Sequence, residues 1–286
     1  MDYLKDYSEA LYAHVQALRQ RELPAQVRRI NFLRKEFFHL KRKWLFARHR
    51  PEAEILEKAS AFLNRSIPEI EAIAKTCLQH RDEGLERSRT GDNLLPYWTH
   101  ELDYRWLCLN LRVQTDWYYY ILKACLDTPE IYNVKTVYDY GCGCGAFTLM
   151  LNNLLRFKHV VLSDLENYVA EFVRYYIQQT PSKSIQWENI LDANDAENTY
   201  DMILCLDVLE HLEDSYRHFL KMHKALKPGG LFVLKIAFES NDSTHLPQAS
   251  EDFFVRNNGM EFLKQHYIVC KKFDDEALVG GVYKKI

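Results

Sequence analysis

The sequence predicts an α/β protein: a mostly parallel, seven-stranded sheet with helices on both faces, preceded by an all-helical N-terminal cap. Three observations predict it. Residues 1–130 carry apolar positions at helical spacing almost throughout, whereas residues 131–286 alternate short apolar runs with amphipathic helical stretches. The first apolar run, residues 135–140, leads into Gly141-Cys142-Gly143-Cys144-Gly145 and then a helical pattern. Two of the apolar runs lead into an acidic residue, Asp164 and Asp207. Strand, glycine turn and helix is how an open parallel sheet builds a nucleotide site, because glycines admit positive φ and remove side chains from the ligand's path.

In the helical region, residues 3–21 form one periodic segment and Pro24 opens the next, at the position a helix tolerates proline best. Pro51 breaks that helix and opens residues 52–63. Ser66-Ile67-Pro68-Glu69 reads as an N-cap leading into residues 70–83. Gly91-Asp92-Asn93 marks a turn within polar residues 87–96, and residues 97–126 form an aromatic-rich helical run that Thr128-Pro129 ends. The net charge of −3 is uneven, since residues 1–50 hold 12 Lys/Arg against 5 Asp/Glu. Arg28, Arg29, Arg34, Lys35, Lys41, Arg42, Lys43, Arg48 and Arg50 share a stretch with Val27, Ile30, Phe37, Leu40 and Trp44 at helical spacing, an amphipathic helix with a cationic face. A solvated face, an anionic substrate, RNA or a membrane surface all fit that pattern.

After residue 130, strands are expected at 135–140, 159–164, 185–188, 201–206, 231–236, 267–273 and 277–284. Helices are expected at 146–155, 167–179, 215–226 and 253–265, with a long polar connection over 239–251. Right-handed crossovers place ligand sites at the C-terminal ends of such strands. No run approaches the roughly 18 apolar residues of a membrane span. The first residues lack a basic-then-apolar leader, and seven scattered cysteines suit a reducing, cytoplasmic setting. Cys142 and Cys144 have no second pair to complete a metal site, and no metal is assigned.

The glycine turn alone is ambiguous. Gly141, Gly143 and Ala146 satisfy the G-x-G-x-x-A dinucleotide pattern with Asp164 downstream, which keeps an NAD-dependent oxidoreductase in competition. Three features point elsewhere: Asp139 makes the pattern D-x-G-x-G-x-G, the fourth strand leads into Asp207-Val208-Leu209-Glu210-His211-Leu212, and Leu226-Lys227-Pro228-Gly229-Gly230 precedes the fifth. With these motifs, residues 130–286 resemble the Rossmann-like class I S-adenosylmethionine-dependent methyltransferases, especially the small-molecule branch that includes the ubiquinone-biosynthesis type.

The resemblance implies S-adenosyl-L-methionine as cofactor. Asp139 would hold the methionine amino group by a charge-assisted hydrogen bond. Gly141, Cys142, Gly143 and Gly145 would give the backbone close approach, and Asp164 would accept the ribose hydroxyls. Leu165 would pack on adenine, Asn189 with Ile190 behind it would meet the adenine amino group unless Asp192 takes that role, and Leu206 would line the cofactor. The domain division that follows is a helical cap and substrate-binding region over 1–130 and a cofactor-binding methyltransferase domain over 131–286.

A sulfonium methyl is already activated, so the enzyme mainly aligns an in-line displacement, with a base where the acceptor must lose a proton. His211 is the first candidate for base or acceptor-orienting group, with a structural helix-start role as the alternative. Asp207 and Glu210 either hold His211 or cap the following helix, and His245 lies in the long connection over the acceptor side. Asp207-x-x-Glu210-His211 with a later His also resembles the cation-binding pattern of small-RNA 2′-O-methyltransferases, but the first acid departs from it. Tyr97, Trp98, Tyr104 and Trp117 are candidates to line the acceptor pocket or cover the sulfonium, against plain packing between cap and sheet. The expected activity is methyl transfer, to oxygen, on a small-molecule or peptide metabolite of secondary metabolism. An RNA methyltransferase using the basic helix, and a catalytically weak interaction protein keeping the fold, are the alternatives. A second copy of the chain is a further expected partner.

Overall fold

The computed structural model describes residues 50–88, 103–180, 184–192, 196–237, 245–273 and 279–286, all within one compact unit. The basic helix other than Arg50, and Tyr97 and Trp98, lie outside the described residues. Helix α1 (Ala53–Leu63) ends on Asn64 at φ 51°, where Arg65 N–H donates back to the Ser60 carbonyl at 3.1 Å. Helix α2 (Ile67–Ser88) opens on Ser66, whose N–H and hydroxyl both reach a Glu69 carboxylate oxygen, at 2.7 and 2.6 Å. Asp103 caps α3 (Tyr104–Arg112) by accepting the Arg105 N–H at 2.8 Å. The single helical run expected from the aromatic stretch is interrupted: Val113–Trp117 forms a wide π turn before α4 (Tyr119–Asp127).

The sheet comprises β1 (Thr136–Tyr140), β2 (His159–Asp164), β3 (Ile185–Asn189), β4 (Tyr200–Leu206), β5 (Leu226–Ile236), β6 (Tyr267–Lys272) and β7 (Val279–Lys285). Their order is β3-β2-β1-β4-β5-β7-β6, parallel through β5, with β7 antiparallel to β5 and β6 antiparallel to β7. Helices α5 (Ala146–Leu155), α6 (Tyr168–Gln179), α7 (Ser215–Ala225) and α8 (Gly259–His266) connect them. Successive strand residues point to opposite faces, and both faces are covered. Val137, Leu162, Leu204 and Val233 join one core with Phe147, Phe172, Ile55, Leu107, Leu111 and Ile121. Tyr138, Val161, Ile203 and Phe232 join the other with Phe219, Phe253, Leu263 and Tyr267. The first core therefore runs across residue 130, joining α1, α3 and α4 to the sheet.

Besides α2, which runs over 67–88 rather than 70–83, two boundaries differ from expectation. Strand β5 starts at Leu226 rather than 231, because the Lys227-Pro228-Gly229-Gly230 stretch is a bulge within it: the register with β4 shifts between Tyr200 and Met202, and Gly229 sits at φ +74°. The helix expected over 253–265 is two pieces, a π-helical Glu251–Arg256 and α8, separated at Asn258 (φ 49°). A Cβ on Gly259 would lie 2.7 Å from the Phe253 ring, so the second piece packs directly against the first.

Phe219 is fully buried between Phe232, Phe253 and Phe262. Phe219→Ala is expected to lower unfolding free energy by about 3–5 kcal/mol, measured from the urea midpoint; a loss below ~1 kcal/mol would show that the second core rearranges around the void.

Candidate functional site

Strand order reverses between β1 and β4, and the crevice at such a point, outside the strand C-termini, is where open α/β sheets bind ligands. The glycine turn after β1 lies there. Gly141, Gly143 and Gly145 take φ of +73°, +55° and +67°. Gly141 and Cys142 N–H both donate to the Ser163 carbonyl, at 2.8 and 2.9 Å, which hangs the turn on the end of β2. A Cβ on Gly141 would collide with the Val208 side chain, and one on Gly143 with Asn110 Oδ1 and Gln114 Nε2. Only glycine permits this approach of backbone to neighbours.

Asp164 ends β2. Its Oδ2 accepts the Gly143 N–H at 2.5 Å and its Oδ1 the Leu165 N–H at 2.7 Å, while burial pushes its carboxyl above the usual range. Each oxygen keeps a second lone pair for another donor. Asp139, 5% exposed, accepts the Thr148 hydroxyl at 2.6 Å. Burial raises its carboxyl to about 7, with the Thr148 bond opposing and the charge of Asp164 adding. Asn189 pairs in register with Asp164, and its Oδ1 accepts the Leu191 N–H at 3.0 Å. Ile190 N–H donates to the Asp164 carbonyl at 2.9 Å, which holds that strand end against the acid. Leu165 and Ile190 are half-buried, Leu206 is buried at the end of β4, Cys142 is buried in the turn, and Asp192 is exposed.

Across the crevice, Asp207 follows β4 at φ +54°. Its Oδ2 accepts the Tyr118 hydroxyl at 2.6 Å, and its Oδ1 pairs with Lys235 Nζ. Burial first, then Asp207, raises the Tyr118 phenol well above its ordinary range. Asp207 is thus a partner of Lys235 and Tyr118, and it makes no side-chain cap on α7. Glu210, in the short 3-10 turn Leu209–His211, is fully buried. Its Oε1 accepts the Ala237 N–H at 3.1 Å, while Oε2 has no hydrogen-bond partner among the described residues. Burial, reinforced by Asp207, raises its carboxyl. The Glu210 carbonyl accepts the Leu246 N–H at 2.9 Å, which draws His245 over. The His211 and His245 rings lie 5.0 Å apart, and ligand atoms of Glu210, His211 and His245 all fall within 4.8 Å of one another. One carboxylate and two imidazoles can move a proton or hold a divalent cation.

Residues 138–232 match the protein family described as a methyltransferase domain. The matched stretch is a methyltransferase domain of the class I, S-adenosylmethionine-dependent type. Among curated relatives, it is 26% identical over 98 residues to the ubiquinone biosynthesis O-methyltransferase of Rickettsia conorii, covering 34% of this chain and 33% of that one. It is 29% identical over 138 residues to the carboxy-S-adenosyl-L-methionine synthase of Vibrio vulnificus, covering 46% and 56%. An S-adenosylmethionine-dependent methyltransferase structure from Mesorhizobium loti aligns at 29% identity over 42% of this chain and 53% of that one, with a TM-score of 0.35. The chain spans between a third and a little over half the length of the curated relatives it matches.

Within this domain the structure joins the expected residues into two groups: Asp139, the glycine turn, Asp164 and Asn189 on one side, and Glu210, His211 and His245 on the other, with Val208 touching Gly141 between them. Two aromatic candidates stand apart. Tyr104 is 36% exposed under the Arg65 guanidinium, 5.2 Å from the ring, and Trp117 is 45% exposed at the end of the π turn. Sequence reasoning missed Asn110, Gln114 and Lys235 and took Tyr118 only as one more aromatic. Gln114, 7% exposed, donates from Nε2 to the Cys142 carbonyl at 2.8 Å and accepts the Phe147 N–H on Oε1 at 3.0 Å. A glutamine, tyrosine and aspartate far apart in the chain carry no local pattern. The only signal was the spacing of four between Asn110, Gln114 and Tyr118, in a run that also carries Arg112, Thr115 and Asp116.

Proposed function

We propose that the chain transfers the methyl group of S-adenosyl-L-methionine to an oxygen of a small-molecule or peptide metabolite by in-line displacement. The observation that carries this reading is a buried carboxylate, Glu210, clustered with the half-buried His211 and His245 across the crevice from a glycine turn flanked by Asp139 and Asp164. The named activity of the Rickettsia conorii relative, O-methylation, supports oxygen as the acceptor atom. When bound, the cofactor supplies a methyl already activated by its sulfonium. Asp139 would take its ammonium, Asp164 its ribose, and Leu165, Asn189 and Ile190 its adenine, with Leu206 beneath. The Asn189 carbonyl oxygen already holds Leu191 N–H, so an adenine amino group would share it through the second lone pair. His211 would take the acceptor proton, with His245 and Glu210 orienting it, and Asp207 would hold the loop through Lys235 and Tyr118 rather than touch the acceptor. Tyr104 and Trp117, with Tyr97 and Trp98, would contribute to acceptor binding from the helical region over 1–130, ahead of a cofactor domain over 131–286. No helix among the described residues is long and apolar enough to cross a membrane. A cytoplasmic setting, secondary metabolism and self-association belong to this same reading.

A second element concerns a divalent cation, which the sequence did not assign. The Glu210 Oε2, without a hydrogen-bond partner among the described residues and beside two imidazoles, favours it, because a buried carboxylate oxygen lacking a partner is satisfied by a proton or a cation. A bound cation would lower the pKa of an acceptor hydroxyl.

Three measurements test these roles. In calorimetry with S-adenosylhomocysteine, Asp164→Ala is expected to weaken binding at least about tenfold, the scale of a lost charge-assisted hydrogen bond, while the melting temperature stays near wild type; unchanged affinity would refute the ribose role. Asp139 gives a pH dependence. Its carboxyl is raised to about 7 by burial, and an ammonium favours the ionised form, so binding releases a proton. Affinity for S-adenosylhomocysteine should fall as pH drops below 7, approaching about tenfold per pH unit, and Asp139→Asn should flatten the profile; a flat wild-type profile would remove Asp139 from the ammonium. For the cation, Mn²⁺ or Zn²⁺ added after EDTA treatment should raise the melting temperature of the wild type and not of Glu210→Gln. Equal responses would leave the cluster with acid–base chemistry alone.

A further inference from the structure

The helical segment α3–π turn–α4 presents three polar side chains to the crevice at intervals of four residues: Asn110, Gln114 and Tyr118. Gln114 grips both sides of the glycine turn, at the Cys142 carbonyl and the Phe147 N–H. Tyr118 reaches the opposite wall at Asp207. The wide turn over Val113–Trp117, closed by Tyr118 N–H to the Val113 carbonyl at 2.9 Å, lets the two residues diverge to their separate partners. Such π turns recur where a helix must re-aim side chains at a functional site.

Asn110 differs from the other two: its amide bonds its own helix on one side and meets the glycine turn at Gly143 on the other. Its Nδ2 donates to the Trp106 carbonyl at 3.1 Å, one turn back on its own helix. That bond sets the amide orientation, because only the NH₂ group can donate to a carbonyl. The carbonyl oxygen Oδ1 is consequently turned onto the glycine turn, where it occupies the position a Gly143 side chain would need. Gly143 therefore does two things: its N–H is held by Asp164 on the ribose side, and its missing side chain gives room to Asn110. The side facing Asn110 and Gln114 is also the side of the α5 N-terminus, since Gln114 bonds Phe147 in the first turn of α5. The Asn110 oxygen can accept from a cationic donor there, and the α5 N-terminus favours an anionic group beside it, a pairing that an amino acid's ammonium and carboxylate supply.

We propose that Asn110 is a cofactor ligand, its Oδ1 accepting a hydrogen bond from the ammonium of the cofactor's methionine end, with Gln114 as the positioning residue that holds the turn beneath it. This role rests on the crevice being an S-adenosylmethionine site. It gives the ammonium two acceptors from different parts of the chain, Asp139 on the sheet and Asn110 on the helical segment, so the helices complete the cofactor site as well as serving the acceptor.

The test compares two ligands by calorimetry on the full chain. S-adenosylhomocysteine has the amino-acid end and 5′-methylthioadenosine lacks it. Asn110→Ala should weaken S-adenosylhomocysteine about tenfold or more, as for one hydrogen bond to a charged group, and leave 5′-methylthioadenosine unchanged. Asn110→Asp, which keeps an acceptor oxygen, should return S-adenosylhomocysteine affinity close to wild type. Gln114→Leu should weaken both ligands, because the whole turn loses its support. Wild-type S-adenosylhomocysteine affinity in Asn110→Ala, or an equal loss for both ligands, overturns the ligand role while leaving the methyltransferase reading intact. A wild-type protein that binds neither ligand overturns that reading and this role together.

Discussion

The crevice depends on how the glycine turn's backbone is satisfied. Three positive-φ residues in five expose N–H and C=O groups that no helix or strand ladder absorbs. The Ser163 carbonyl takes two N–H groups, Asp164 takes a third, and Gln114 takes the Cys142 carbonyl together with the first N–H of α5 that faces it. These partners come from β2 and from the helical segment before the sheet. A turn held from two sides keeps its shape without a ligand, so little ordering is left for binding to accomplish.

The opposite wall is organised by charge. Asp207 and Glu210 lie three residues apart at the end of β4, and two ionised carboxylates there would repel in a poorly hydrated site. Lys235 and the Tyr118 hydroxyl engage Asp207, which leaves Glu210 as the carboxyl whose ionisation burial opposes. The two acids of one short motif thereby acquire different work: Asp207 is bound into the scaffold, and Glu210 faces the histidines with an unfilled lone pair. Dissimilar environments for neighbouring carboxyls are how one site separates structural from chemical roles.

Much of the sheet was legible because its cause is local. Val137 and Tyr138, Leu162 and Val161, Leu204 and Ile203 alternate between two buried faces, and helices 146–155 and 167–179 carry their own start and stop residues, so periodicity alone located them. The glycine turn and its flanking acids were legible for the same reason. The bulge at Gly229, the π turn at Val113–Trp117 and the break at Asn258 were not: the first shows only as a register shift against β4, the second accompanies bonds to the distant glycine turn, and the third meets the Phe253 ring of the preceding helical piece. Gln114 and Tyr118 were invisible as site residues because their partners lie 28 and 89 positions away. His245 was found only as a histidine in a long connection; the Leu246 bond to the Glu210 carbonyl is what brings it to the cluster.

Residue 130 separates two kinds of periodicity, but the hydrophobic core and the crevice both cross it. One helical segment touches the glycine turn through Gln114 and Asp207 on the opposite wall through Tyr118, over a span of one wide turn. A displacement of that segment cannot loosen one wall without disturbing the other. Acceptor contacts made by the helical region would then be transmitted to Cys142 and Phe147 on one side and to Asp207 and Lys235 on the other. Cofactor and acceptor affinity should accordingly be thermodynamically coupled, and by linkage the coupling must be the same in both directions. The physical carrier is specific: two hydrogen bonds from Gln114 and one from Tyr118, anchored between α3 and α4, whose Leu107, Leu111 and Ile121 are fully buried in the core shared with the sheet.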